Sequence, residues 1–362
     1  MRSAWRRAPD PGGRADGSTR NRRDGSTRNR RDGSTRRRLY GSVRGRADGS
    51  PRSRTGGRFG GRSDAAARVR RREAAVRAAF LAPAAAFLLL FLGRPLLDNI
   101  TTSLRDSTAA TLLGGTAPFT GPDNHVRLFT SEEFRQAAAT TVLYTAGSLA
   151  AQFTVGLALA LFFQRRFPLG RTVRSLMLLP WLMPLVATGT VWRWMLDTDD
   201  GVVNGALRAL HAVPSGVPWL TGTHEALWSV ILVNTWVGIP FNTALLYAGL
   251  QAIPPQVHEA ARVDGAGPVR LFRSVTWPLL RPTAGVVLVL GAVYTLRAPD
   301  VVLALTGGGP AGATRTLAAL AHEQAYARFD FGRAAATGNV LVLVSLGLAL
   351  LHLRAVRRAR TP

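Results

Sequence analysis

The residues best placed to do chemistry are polar ones in apolar company. Asn234, Thr235, Trp236, Asn242 and Thr243 sit in a run otherwise rich in Val, Leu, Ile and Ala, and Tyr294, Arg297 and Asp300 lie in a second such run. Amides and hydroxyls held in lipid are costly and turn toward the interior of a helix bundle. There they can hydrogen-bond the hydroxyls of a polar solute, or they can fasten one helix to another. Both readings stand for Asn234, Trp236, Asn242 and Tyr294, the four candidates for solute contact. Arg297 and Asp300 are expected to pair on one helix face near the end of their run. Gly238 and Pro240 are expected to loosen the helix that carries the amides.

Other chemistries lack their residues. The sequence has no cysteine, which removes disulfides and thiolate metal sites. All 46 basic residues counted as Lys+Arg are arginine, and a phosphate-binding GxxxxGK[ST] loop needs its lysine. Gly307, Gly309 and Gly312 satisfy GxGxxG on paper, but no strand precedes them and Pro310 interrupts the motif. His258-Glu259 falls one residue short of HExxH because Arg262 holds the fifth position. No Ser/His/Asp or paired-carboxylate arrangement can be assembled. The chain is therefore expected to be non-catalytic, without metal or cofactor, and any ATP behind its work must be bound by a partner.

The elements that position these residues follow from hydropathy. Six apolar segments, about 78–100, 137–163, 173–196, 226–250, 283–305 and 334–353, each come near the length that crosses ~30 Å of hydrocarbon at 1.5 Å per residue. An even number puts both ends on one side. With the ends inside, 36 arginines fall on the cytoplasmic side and seven in the outer loops, the asymmetry expected of an inner-membrane protein. The loop 164–174 carries four arginines and no acid. The fold class is thus all-α: a polytopic membrane protein of six spans, with both termini cytoplasmic.

Between the fourth and fifth segments lies a polar stretch, 251–282, whose core reads PPQVHEAARVDGAGPVRLFRSVTWPLLRP. His258 to Asp264 suits a short helix, Gly265 its stop, and Pro268 the first turn of a second helix that Trp277-Pro278 would end. This is the shape of a docking element for another protein, on the cytoplasmic side.

Glu259, Ala260, Ala261, Asp264, Gly265, Ala266, Phe272, Val275 and Pro278 match in order and spacing the EAA loop of ATP-binding-cassette (ABC) importer permeases, which this chain resembles. Trp277 stands where that family usually has Leu. Phe119 to Asn124, Leu179-Pro180-Trp181, Trp192-Arg193-Trp194, Leu305 to Pro310 and Phe329 to Gly332 are similar to the carbohydrate-uptake branch, of the maltose and glycerol-phosphate type. The resemblance covers nearly all of 78–354. It implies a permease subunit of a binding-protein-dependent sugar importer in the cell inner membrane. It also implies the partners: a dimer of ABC ATPases docked on Glu259, Ala260, Ala261, Asp264 and Gly265, a second permease making a heterodimer, and an extracytoplasmic solute-binding protein. A polyol, a glycerol-phosphate compound or an amino acid remain alternative solutes, and an anionic one would draw attention to Arg297.

The first 77 residues are a different material. DGSTRNRR occurs at Asp16 and Asp24, and DGSTRRR follows at Asp32. Rich in Arg, Gly and Ser, the segment is expected to be a disordered cytoplasmic tail. It could lie on anionic lipid or, in a scaffolding role, bind nucleic acid, although only Trp5, Tyr40 and Phe59 could stack on bases. Residues 355–362 read as a short basic tail.

Overall fold

The computed structural model describes residues 60–360 apart from 113 and 166, and the helix bundle belongs to the unit Arg71–Pro362. Among the described residues the chain is helical, with no strand and only two isolated bridges, Arg105–Phe119 and Thr108–Asp330. Five helices are long and apolar enough to span a membrane: α1 (Ala75–Ser103), α3 (Glu132–Phe162), α7 (Glu225–Gln251), α9 (Pro268–Arg297) and α12 (Phe331–Arg360). The short helix α2 (Asp123–Thr130) precedes α3.

The expected third span takes another form. Gly170–Leu182 (α4) and Leu185–Met195 (α5) meet at a bend of 95°. Pro184 explains the break: it biases Met183 toward extended backbone, which is seen at ψ 141°.

Two further boundaries differ from expectation. The helix begun at Pro268 does not end at Trp277-Pro278 but runs on as α9, through a π turn at Phe272–Thr276 that takes up the register ahead of Pro278. At its other end α9 stops at Arg297, and Asp300–Leu305 forms a separate helix, α10, after Ala298-Pro299. The break separates Arg297 from Asp300, and they form no ion pair among the described residues. Of the expected disordered tail, 1–59 lies outside the described residues. From Gly60 the chain is already helical, ahead of the expected boundary at 78, consistent with its alanine and arginine content. The basic C-terminal segment likewise continues α12 as far as Arg360.

The bundle is built on α3 against α7, with α9 and α12 completing it. Its apolar core divides in two along these helices. Toward one end, Tyr144, Val230, Ile231 and Val233 pack on Val301, Val302 and Leu305 of α10. Toward the other, Ala160, Leu246 and Leu250 pack on Leu280, Ala284 and Val287 of α9. On α3, Tyr144 and Ala160 are each eight residues from Gln152, about 12 Å along the axis. A polar layer therefore separates the two apolar clusters.

The first span stands apart from this core. Its outer turns reach α12 through Asn99, whose amide donates to Asn339 Oδ1 (2.7 Å), while Asn339 donates to Ser103 Oγ (2.9 Å). The preceding stretch, including Phe80, Phe87 and the residues from Leu88 to Leu92, is exposed.

The end of the bundle away from the arginine-rich loop is tied by charge. Arg315 donates to Glu133 (2.6 Å) and pairs with Glu323 (3.0 Å), and Arg328 bonds to both glutamates. These contacts fasten the Gly307–Gly312 loop and the helix α11 (Leu317–Tyr326) to the start of α3. Hydrogen bonding to Glu133 and then Glu323 raises the pKa of Arg328, so it remains charged at any working pH.

Close approach of α3 and α7 depends on Gly156, where a Cβ would lie 2.8 Å from the Asn242 Cβ and 3.2 Å from the Thr243 backbone nitrogen. Gly156→Val should force the helices apart and cost on the order of 1–3 kcal/mol, seen as a lower midpoint for thermal loss of monodispersity in detergent. Gly205→Ala, in the peripheral helix α6 (Val202–Ala209) with open space beside it, should not lower that midpoint. Equal behaviour of the two variants would remove Gly156 as a packing determinant.

Candidate functional site

The polar layer is organised by one side chain that crosses between helices. Gln152 of α3 donates through Nε2 to the Asn234 carbonyl (2.9 Å), and its Oε1 accepts from Asn242 Nδ2 (3.3 Å). Asn242 Nδ2 also donates to the Gly238 carbonyl one turn back (2.9 Å). Asn234, Gly238 and Asn242 follow at intervals of four and so share a face of α7. Gly238 leaves room for that amide: a Cβ there would lie 2.3 Å from the Gln152 amide carbon, so an alanine would have to displace the side chain from its hydrogen bonds. The helix runs unbroken through Pro240, contrary to the expectation that it loosens there, because contacts with α3 and α9 hold it on both sides.

Beside this layer is a cavity of about 210 Å³, lined by Gln152, Asn234, Asn242 and Tyr294 with Trp181, Phe241 and Thr295. Its polarity is incompletely answered within the chain. Asn234 Nδ2 and Asn242 Oδ1 are buried and have no hydrogen-bond partner. A buried amide atom without a partner costs roughly 1–3 kcal/mol. A donor and an acceptor thus stand unpaired on residues of the cavity wall, shielded from the cavity itself, and two aromatic rings, Trp181 and Phe241 with centroids 5.8 Å apart, form an apolar wall. No Asp, Glu, Arg, Lys or His lines the cavity.

Of the four candidates for solute contact, Asn234, Asn242 and Tyr294 come together here. Trp236 points elsewhere, edge-on to Trp192 with ring centroids 5.6 Å apart. Gln152 is absent from those candidates, although a lone glutamine in an apolar span carries the same signal as the asparagines. Arg297 and Asp300 line a separate recess with Tyr294 and Leu290.

The docking element takes the form its residues dictate. Pro255 opens the helix α8 (Pro255–Val263), and Gly265 adopts φ +78°. The Gly265 N–H reaches the Arg262 carbonyl (3.0 Å) and the Ala266 N–H the Ala261 carbonyl (3.0 Å). This pair of bonds closes the helix in the Schellman arrangement that favours glycine at its left-handed position. His258 Nε2 lies 3.1 Å from Thr276 Oγ1, binding α8 to the root of α9. Glu259, Ala260, Asp264 and Gly265 are exposed, and Ala261 is half-buried. Val263 and Val269 are 87% and 72% exposed, an apolar pair on an otherwise polar projection.

Comparison with known proteins agrees with this architecture. A family model described as "Binding-protein-dependent transport system inner membrane component" matches residues 152–361. The chain is 32% identical over 294 residues to the trehalose/maltose transport system permease protein MalF of Thermococcus litoralis, covering 81% of this chain and 97% of that one. It is 33% identical over 298 residues to the diacetylchitobiose uptake system permease protein DasB of Streptomyces coelicolor, covering 79% and 90%. With the sn-glycerol-3-phosphate transport system permease protein UgpA of Yersinia pseudotuberculosis the identity is 32%, covering 68% and 83%. A chain from the crystal structure of a bacterial ABC transporter involved in the import of alginate shares the fold, with a TM-score of 0.68 at 23% identity, covering 80% and 98%.

The crossing of Gln152 over Gly238 yields a test independent of any ligand. Gly238→Ala should displace the Gln152 amide and lower stability, and Gln152→Ala should relieve part of that cost. The coupling in a double-mutant cycle should be about 1 kcal/mol. Additive effects in thermal unfolding would show that the two residues do not meet.

Proposed function

The chain belongs to the family of binding-protein-dependent transport system inner membrane components, and on that premise we propose that it forms half of the pathway of a sugar importer. It is non-catalytic. ATP is bound and hydrolysed by a separate ABC ATPase dimer, which grips α8 through Glu259, Ala260, Ala261, Asp264 and Gly265. A second permease supplies the other half of the pathway, and an extracytoplasmic binding protein delivers the solute. Both termini and the docking element lie in the cytoplasm, a reading supported by the arginine distribution.

The observation that carries the substrate class is the uncharged, amide-lined cavity, whose Asn234 Nδ2 and Asn242 Oδ1 have no partner within the chain and would meet a solute only once the spans move. Such a wall suits a neutral hydroxylated solute better than an anion. The names of the relatives point both ways, since trehalose/maltose and diacetylchitobiose are neutral and glycerol phosphate is not. The uncovered apolar surface of α1 supports the second permease, which would offer that helix a packing surface its own bundle does not.

The physical work falls to differential affinity. ATP binding closes the ATPase dimer, the docked α8 moves with it, and α9 carries the motion toward Tyr294 and Thr295. The ATP-bound ATPase must prefer one arrangement of the spans over the other, or its binding energy shifts nothing. Exposed Val263 and Glu259 would give that interface an apolar contact and a charge, and the small Ala260 and Gly265 allow close approach.

Two variants test the reading. Gly265→Val places a β-branched residue at φ +78°, a conformation that costs an ordinary L-residue roughly 1–2 kcal/mol or more. It should insert normally and co-purify its second permease, yet lose uptake and substrate-stimulated ATP hydrolysis. Normal uptake would end the coupling role. Asn242→Leu should lower uptake of a radiolabelled neutral oligosaccharide by about 3- to 10-fold, the value of one neutral hydrogen bond, with basal ATP hydrolysis retained. If glycerol phosphate or an amino acid is the solute taken up instead, the neutral-sugar assignment fails.

A further inference from the structure

The loop joining α3 to the broken third span borders an open recess of about 490 Å³, separate from the polar layer. It sits where α3 and α7 both end, at Phe162 and Gln251. One wall is cationic. Arg165, Arg171 and Arg174 line it, and none of the three makes an ion pair among the described residues. The loop 163–174 has no acidic residue to supply one. Arg174 is held in place: Nε donates to the Gly170 carbonyl (3.0 Å), a guanidinium N–H donates to the Tyr247 hydroxyl, and the guanidinium carbon stands 5.0 Å from the Tyr247 ring centre. Arg165 and Arg171 are exposed and free to close on a ligand.

The opposite wall is apolar. Phe163 and Phe167 line the cavity with stacked rings, centroids 6.2 Å apart, and Phe162 continues the cluster at 5.2 Å from Phe167. Leu169 is 75% exposed at φ +62°, the turn that starts α4. A phosphate ion would answer the arginines and leave the phenylalanines idle. A lipid answers both.

We propose that this cavity binds the headgroup of an anionic phospholipid of the cytoplasmic leaflet. The phosphate lies among Arg165, Arg171 and Arg174, and an acyl chain lies along Phe167 and Leu169. The site is on the side that the arginine distribution assigns to the cytoplasm, and anionic headgroups there attract each nearby arginine. Tyr247 and Gln251 occupy the last two turns of α7, immediately before α8. A bound headgroup therefore stiffens the segment from which the docking helix departs. Only this activity consequence rests on the transport reading; the binding does not.

The test is native mass spectrometry of the chain, purified in mild detergent with its co-purifying subunits and titrated with phosphatidylglycerol or phosphatidylcholine. Phosphatidylglycerol should be retained preferentially, and the double variant Arg165→Gln/Arg171→Gln should weaken its binding by roughly 30-fold. Both arginines are exposed and outside the packed wall, so the variant should remain folded, as its elution profile would show. Arg208→Gln, on the opposite side of the bundle, should change nothing. Equal retention of the two lipids, or unchanged binding in the double variant, overturns the proposal. So does displacement of the lipid by millimolar inorganic phosphate, which would make this a site for a soluble anion. In liposomes, uptake should rise with phosphatidylglycerol content for the wild type and much less for the double variant. Loss of that dependence alongside intact lipid binding would count against the transport reading and leave the lipid site standing.

Discussion

Inside hydrocarbon a polar group has no water to turn to, so each buried amide must be answered by the protein or by what the protein carries. Gln152 shows how this chain meets the constraint. Its amide spans α3 and α7, donating to one backbone carbonyl and accepting from one side chain, and it lies over Gly238, where a Cβ would push it aside. Gly156 performs the corresponding service about one turn further on, letting α3 approach the Asn242 backbone. The two apolar clusters then close above and below. Within this polar layer one donor on Asn234 and one acceptor on Asn242, both residues of the cavity wall, remain unanswered. The same contacts that join the helices therefore leave two unpaired amide atoms on residues of the cavity wall.

Much of this was legible from local chemistry. The docking helix was readable because its signals are short-range: a proline that starts a helix, a glycine that can take positive φ, and a second proline three residues on. The number of apolar segments followed from hydropathy, and the amides of α7 stood out against their apolar neighbours. The misses share a cause, which is that they depend on partners distant in sequence. Trp236 was grouped with Asn234 and Asn242 by proximity, but a helix turns 100° per residue and sends it to Trp192 instead. Gln152 belongs with residues 82 to 90 positions away.

The proline positions were the least readable. Pro184 breaks a span by 95°, Pro240 passes through a helix without ending it, and Pro278 is accommodated by a π turn. The residue is the same in each case; the difference lies in what surrounds it. Pro240 is buried in the best-packed helix of the bundle, where neighbours keep the backbone in register. Pro184 lies in a thinly packed segment of exposed residues and has nothing to hold the helix straight. Arg297 and Asp300 illustrate the same point, since their spacing suits a pair only if one helix carries both.

The unbroken course of α9 has a mechanical meaning. From Pro268, beside the docking turn, to Tyr294, on the cavity, the helix rises about 39 Å at 1.5 Å per residue. It is a rod with one end beside the turn at Gly265 and the other against the cavity, interrupted only by the π turn and Pro282. Pivoted near one end, a tilt of about 5° over that length moves the far end by about 3 Å, the span of a hydrogen bond. Small rotations at the surface are thus enough to make or break contacts at the centre, and no flexible joint is needed between them.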